Sequence, residues 1–361
     1  MKDLNPDNDM SLDTLSKIFQ DAKGDSYVIE ELNADNAHLA MPVIQGLADI
    51  HGIPLIDNTS EQLKQHLRQS IANDNKDIRG LIFRPLETNG QPRNIAAAYA
   101  MYHPKLDSDG RLGVWVEDVS VDSGFKGRGL ATRLFAAVAK ATKGSDFMAW
   151  ETDERNDPFK GYQEDKLKSR KTGQINFDAS AVVTESELPA AMRPSDSSVY
   201  ITEPTNGENI SDLLFSQQGS EAAELAEDMA IVGFKTKDLT SGRTIATVQA
   251  SINYSSFNGH WRIILQSPKF KTDLTPDQKA NALKSLILRV KGYAHASGFT
   301  EQLKWHIDGE DKDTTSILKD TFGLKPYTIT DDPDAEMHLY KMNKQAIDDL
   351  VAECSSMPEM S

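Results

Sequence analysis

Two adjacent carboxylates, Glu117 and Asp118, sit in the middle of the run VWVEDVSV at residues 114–121. The rest of that run is β-branched or apolar apart from Ser120, which suits a buried strand. A carboxylate buried mid-strand is expected to have a raised pKa, and Glu117 is the candidate proton acceptor. Gly124, Gly127 and Gly129 follow, permitting a tight turn and a close backbone approach by a ligand. Leu130, Leu134 and Val138, with Ala131 and Phe135 beside them, then form one apolar helical stripe. A helix opening on such a turn presents unpaired N–H groups and a positive dipole end, ready for a phosphate. Proton transfer beside an anion cradle is the chemistry this stretch could do.

Other phosphate signatures do not fit. The glycines read G-x-x-G-x-G, whereas a dinucleotide fold needs G-x-G-x-x-G and a P-loop needs Lys-Ser or Lys-Thr after its second glycine. A plain strand-to-helix connection would also explain glycines here. The stretch resembles the acetyl-CoA pyrophosphate loop of the GNAT superfamily of N-acetyltransferases, Q/R-x-x-G-x-G/A. Lys126, Gly129 and Ala131 match it, Lys126 replacing the usual Arg or Gln, with Gly127 and Arg128 between them. Residues 98–131, AYAMYHPKLDSDGRLGVWVEDVSVDSGFKGRGLA, are similar to the diamine (spermidine/spermine) branch of that superfamily. So is the opening YVIEELNADNAHLAMPVIQGLADIHG from Tyr27. The resemblance spans residues 26–185.

The resemblance implies acetyl-CoA as co-substrate. Its cofactor set would be Lys126, Gly127, Arg128, Gly129, Leu130, Ala131 and Thr132, with backbone groups of Val119 and Val121 pairing with the pantetheine arm. It puts the base on Glu117 and a carboxylate for the substrate amine on Asp118. On an ideal strand these neighbours point to opposite faces, leaving one of them structural; a bulge would relieve that. The superfamily places an acid tyrosine on the helix after the next strand. Within FMAWETDERNDPFKGYQEDKL, that helix is predicted to begin at residues 157–158, making Tyr162 the candidate and Asn156 the matching asparagine. Tyr162 lies six residues after Asn156, where the branch often has seven; a core tyrosine is the other reading. Lys166, Lys168 and Arg170 are expected on the same helix, near CoA's 3′-phosphate or as a solvated basic face.

At 361 residues the chain is long enough for two domains of roughly 150 residues each. The net charge of −16 argues against nucleic acid or anionic membranes and favours cationic ligands. That preference is diluted because residues 331–361 carry eight acids against Lys341 and Lys344. A single cysteine, Cys354, excludes an internal disulfide framework and fits a reducing, cytoplasmic compartment. The opening MKDLNPDNDMSLDT lacks an apolar core behind a basic start, so no secretory signal is expected. No apolar run of about 18 residues predicts a membrane span. The eight histidines show no metal-ligand spacing, and no metal is assigned.

The chain also repeats itself. SVYITEPTNGENISDLLFSQQ echoes SYVIEELNADNAHLAMPVIQG, and IATVQA from Ile245 matches IAAAYA from Ile95. WRIILQSP would be the counterpart of VWVEDVSV, and ANALKSLILRVKGYAHASGF the counterpart helix. Long-period repetition of whole supersecondary units means duplicated domains. The expected fold is α/β (α+β), two tandem GNAT domains, each a mixed, mostly antiparallel sheet flanked by helices. Their predicted division is a flexible segment at 1–25, containing a short helix around 12–19, and a catalytic domain at 26–185. A linker follows at 186–198, a degenerate second domain at 199–345 and an acidic tail at 346–361. The second copy has SPKFKTDLTPDQKA where the glycines should be, with Gln266 and Ser267 expected near the positions of Glu117 and Asp118. It is expected to bind acetyl-CoA poorly and to serve as support or one wall of a groove. The acceptor is then a small cationic amine or a protein lysine, and the chain a monomer of two packed copies or a weak homodimer. A protein lysine or N-terminal acetyltransferase and a non-catalytic acyl-CoA sensor are the alternatives.

Overall fold

The computed structural model describes residues 18–52, 54–55, 59–72, 79–106, 111–142, 144–153, 157–172, 175–178, 200–205, 231–254, 261–296, 302–326 and 337–355. The first half runs β1 (Ile18–Gln20), β2 (Ser26–Glu31), α1 (Ala37–His51), α2 (Thr59–Ala72), β3 (Arg79–Pro85), β4 (Ala98–Leu106) and β5 (Leu112–Val121). It continues through α3 (Leu130–Ala141), β6 (Phe147–Asp153), α4 (Asp157–Asp165), β7 (Arg170–Lys171) and β8 (Ile175–Asp178). The second half holds β9 (Tyr200–Thr205), β10 (Ile231–Asp238), β11 (Thr244–Tyr254), β12 (Trp261–Leu265), β13 (Lys269–Phe270) and α5 (Pro276–Ala296). β14 (Gln302–Ile307), α6 (Lys312–Ser316), β15 (Met337–Asn343) and α7 (Lys344–Ser355) complete it. The end of the predicted N-terminal helix is a strand, because Phe19 is buried against Tyr27 and Phe83 across the sheet. Residues 12–17 and the linker at 186–198 lie outside the described residues.

Two mixed, mostly antiparallel sheets result. The first runs β1-β2-β3-β4-β5-β6-β15-β7 and the second β8-β14-β12-β11-β10-β9, with β13 also on β11. In each, one parallel pair joins two antiparallel blocks: β5 with β6, and β12 with β14. The sheets exchange strands. β15, from the end of the chain, pairs with β6 along its whole length, while β8, from the first half, pairs with β14. Each occupies in its host sheet the place the other occupies in the opposite one.

α7 follows β15 into the first half's core, where Ile347 and Leu350 pack with Leu134, Phe135 and Val138 of α3. Residues 344–355 are therefore a core helix rather than part of an acidic tail. Their apolar residues at Ile347, Leu350 and Val351 fall on one helical stripe, which composition alone hides behind the acids between them. The second core sets Leu283, Leu286, Ile287 and Val290 of α5 against Val248, Ile263 and Trp305 of its sheet. No helix among the described residues is long and apolar enough to cross a membrane.

Candidate active site

β5 carries the carboxylates, and its pairing decides where they point. Met101 faces Asp118, but Tyr102 faces Val116, so Glu117 is an extra residue on β5. This is a β-bulge. Val114 and Val116 lie in the core beneath α3, as do Val119 and Val121 in part, whereas Trp115 lies on the opposite face with Phe147, Ala149 and Leu339. Asp118 shares that opposite face with its cross-strand partner Met101, which packs under α1 and α2. Glu117 shares it too, since Trp115 donates its indole N–H to Glu117 Oε2 at 2.9 Å. The bulge brings both carboxylates to one face. Asp118 is buried and Glu117 half-buried.

The strand also forks. β5 and β6 pair only at Gly113–Phe147, Val114–Met148 and Trp115–Ala149. Beyond Trp115, no strand among the described residues pairs with the β6-facing edge of β5. Glu151, two residues past Ala149 on β6, flanks the fork opposite Glu117.

The glycine turn follows. Asp122 accepts from the Gly124 amide at 2.9 Å and starts a single helical turn at Ser123–Phe125. Gly127 and Gly129 then take φ of 73° and 78°, left-handed values that a side chain would strain. Gly129 caps α3 with no side-chain hydrogen bond to its N–H groups. Leu130 is buried, and Ala131 and Thr132 are half-buried in the first turn of α3. Lys126 is exposed beside the turn.

Arg128 is held from outside the motif. It forms ion pairs with Asp21, at 3.3 Å, and Asp25, both in the turn between β1 and β2. Asp21 is a hub: its Oδ1 accepts the backbone amides of Lys23 and Asp25, and its Oδ2 accepts the Tyr27 hydroxyl at 2.8 Å. Burial works against its charge, but these hydrogen bonds and the Arg128 guanidinium prevail and hold its pKa below the usual carboxylate value. No sequence pattern marks Asp21 or Asp25 as partners of the loop, because their contacts with Arg128 span more than a hundred residues.

Tyr162 lies on α4 and donates to Thr132 Oγ1, at the start of α3, across 2.8 Å. It stacks on Phe159 at 5.5 Å. Burial pushes its pKa well above the normal tyrosine value. α4 is anchored by Gln163, fully buried and accepting the Trp150 indole N–H. Asn156 lies outside the described residues. Lys166, Lys168 and Arg170 are exposed but not helical: α4 ends at Asp165, Lys168 has φ of 51°, and Arg170 is in β7.

Among the described residues, the second copy lacks the bulge, the open fork and the uncapped helix start. Aligning Ile245 with Ile95 sets Ala250 level with Ala100, and their partners are Leu265 and Val119. Ile263 and Ile264 then stand where Val116 and Asp118 stand, with no extra residue between them. Gln266, whose amide bonds to the Gln249 carbonyl, is level with Ser120 rather than with a carboxylate. The expectation for Gln266 and Ser267 is corrected: the pairing of β12 with β11 sets them level with Ser120 and Val121, beyond the positions of Glu117 and Asp118. Pairing of β12 with β14 continues to Leu265–Trp305. Trp305 then donates to the Gln266 carbonyl at 2.8 Å and the Asp308 amide to Ser267 Oγ at 2.7 Å, stitching the fork shut. At α5, Thr275 and Gln278 bond reciprocally to each other's backbone amides, a capping box that occupies the helix N-terminus.

Residues 47–162 match the model of the Acetyltransferase (GNAT) family, a segment that contains the fork, the bulge, the glycine turn and Tyr162. The match supports acyl-CoA-dependent acetyltransferase chemistry. Among solved structures, a tandem GNAT protein from the clavulanic acid biosynthesis pathway aligns with a TM-score of 0.50 at 11% identity, over 88% of this chain and 98% of that one. The fold is that of tandem GNAT domains. A Drosophila protein aligns with a TM-score of 0.47 at 11% identity, over 87% of this chain and 98% of that one. A GCN5-related N-acetyltransferase from Sphaerobacter thermophilus gives 0.46 at 13% identity, over 88% and 95%. No curated protein matches the chain at a significant level.

Proposed function

We propose that the chain is an acetyl-CoA-dependent N-acetyltransferase acting on the primary amine of a small, cationic, polyamine-like molecule, with all of its chemistry in the first copy. The observation that carries this reading is the forked, bulged β5 leading into an uncapped α3. The residues present fit acetyl-CoA. A helix N-terminus opening on two left-handed glycines suits a pyrophosphate, and an unpaired strand edge suits an extended, amide-bearing arm. Lys126, Gly127, Arg128, Gly129, Leu130, Ala131 and Thr132 would hold the pyrophosphate end with Asn156, and the backbone of Val119 and Val121 the pantetheine arm. Acetyl-CoA supplies a thioester-activated acetyl group.

The acceptor ammonium, with a reference pKa of roughly 10.4, must lose a proton before its nitrogen can attack. Glu117 is assigned as the acceptor of that proton, directly or through one water. Asp118, on the same face, holds the amine. Tyr162, kept protonated by burial, is assigned to protonate the departing sulfur. Glu117, Asp118 and Glu151 around one fork favour a cation there. The reciprocal exchange of β8 and β15 supports a monomer whose two copies form a covalent pseudo-dimer.

A CoA-release assay across spermidine, lysine analogues, aminoglycosides and peptides tests this reading. The highest kcat/KM is expected with the polyamine. Release with peptides alone, or with no amine at all, would overturn it.

A further inference from the structure

The second copy does more than lean on the first. β14 is tied to the first half of the chain by β8, its antiparallel neighbour. Along β14, Leu303, Trp305 and Ile307 face their own core, so the alternate residue His306 faces away from it. His306 is 3% exposed and meets the first sheet at its fork. Its ring lies 5.4 Å from that of Trp115, tilted by 47°, and its Nε2 is 3.8 Å from Glu151 Oε1. Trp115 is the last β5 residue paired with β6, and its indole N–H is bonded to Glu117.

We propose that His306 is a positioning residue for the first copy's active site: it braces Trp115, and through the indole N–H fixes the carboxylate of Glu117. The inference rests on the acetyltransferase reading and adds to it a residue from the copy that lacks its own fork. The physical reason lies in rotamer freedom. Glu117 is a half-buried bulge residue with three side-chain torsions, so a directed N–H donor restricts where its oxygens rest. That donor is useful only if the indole cannot turn. Phe147, Ala149 and Leu339 pack on Trp115 from its own sheet, the buried Lys105 ammonium lies over its ring at 3.9 Å, and the imidazole adds the contact from the second sheet. Glu151 borders the imidazole on the first sheet's side, its Oε1 3.8 Å from Nε2 and too far for a hydrogen bond.

The test is a mutant set in the full chain: His306→Ala, His306→Phe, His306→Gln, Trp115→Phe and the double variant His306→Ala/Trp115→Phe. His306→Ala is expected to lower kcat about tenfold, the scale of a displaced proton acceptor rather than a lost one, with acetyl-CoA affinity unchanged. His306→Phe should restore most of the rate, because a ring is what braces Trp115, and His306→Gln should not. The double variant should be no slower than Trp115→Phe alone, since both act through one contact. Additive losses, an unchanged kcat in His306→Ala, or rescue by Gln and not by Phe would each overturn the proposal. The indole N–H resonance of Trp115, identified by its loss in Trp115→Phe, gives a readout free of turnover. It should shift in His306→Ala, and an unmoved resonance there refutes the bracing role. A wild-type chain that releases no CoA with any amine defeats the acetyltransferase reading instead, and the resonance still decides the bracing.

Discussion

Trp115 donates its indole N–H to Glu117 across 2.9 Å, and the two residues stand on either side of the point where β5 leaves β6. One side chain therefore ties the closed part of the sheet to the carboxylate on its open part. The register shift at Met101/Tyr102 makes this contact compatible with Asp118 on the same face. Without the extra residue, Glu117 or Asp118 would point under α3, among Val114, Val116 and Leu134.

Glu117→Gln keeps the size of the side chain and its contact with Trp115 while removing the proton-accepting charge. Turnover is expected to fall about 10²-fold or more, the scale of a lost general base. The acetyl-CoA dissociation constant should stay the same, and the acidic limb of the kcat/KM pH profile should disappear. An unaltered profile would take the base role from Glu117.

Tyr162→Phe removes the hydroxyl that donates to Thr132. Acetylation should slow while folding stability changes little, because the ring stays packed on Phe159. Since burial raises the Tyr162 pKa, wild-type kcat should show no alkaline limb from this residue below pH of about 10. Full activity in the variant would hand the acid role to water.

Asp21→Asn tests the anchor of the glycine turn. In the wild type Asp21 titrates below its unfolded value, so its stabilisation is present above pH of about 4 and is lost as pH falls through the lower folded pKa. The variant should therefore melt several degrees lower at pH 7 but approach wild type in acid; each kcal/mol is worth roughly 2–4 °C in a domain of this size. Acetyl-CoA should also bind more weakly, as Arg128 loses one of its two carboxylates. Equal melting at neutral pH would show that Asp25 alone suffices.

Truncation tests the exchanged strands. Residues 1–190 alone, or 1–336, lack β15 and α7, exposing the edge of β6 and the α3 surface that Ile347 and Leu350 cover. Both should be poorly soluble or inactive, since an unpaired edge and an apolar face invite association. A well-behaved, fully active fragment would show that the halves are independent.

The sequence exposed what rests on local pattern. The VWVEDVSV strand, the glycine turn and the stripe from Leu130 to Val138 are each written within one element, and β5, the turn and α3 follow them. The duplication was legible because whole units repeat. What stayed hidden depends on distance along the chain. β15 lies nearly two hundred residues beyond β6, and no periodicity announces which sheet a six- or seven-residue strand will join. His306 sits in an ordinary alternating strand, so only the packing of the two sheets sets it against Trp115. The place of the bulge rests on cross-strand register too: β5 carries an extra residue against β4, and β12 carries none against β11.

One of the two copies is expected to bind acetyl-CoA, at the uncapped, glycine-led end of α3. Calorimetric titration of the full chain with acetyl-CoA tests it most directly, run beside Gly129→Trp. Gly129 has a left-handed φ of 78° and stands at the mouth of the helix, so a bulky side chain there would both strain the turn and block the N–H groups. One site per chain is expected in the wild type and none in the variant, whose second sheet stays folded. Two equivalent sites, or undiminished binding in Gly129→Trp, would contradict it.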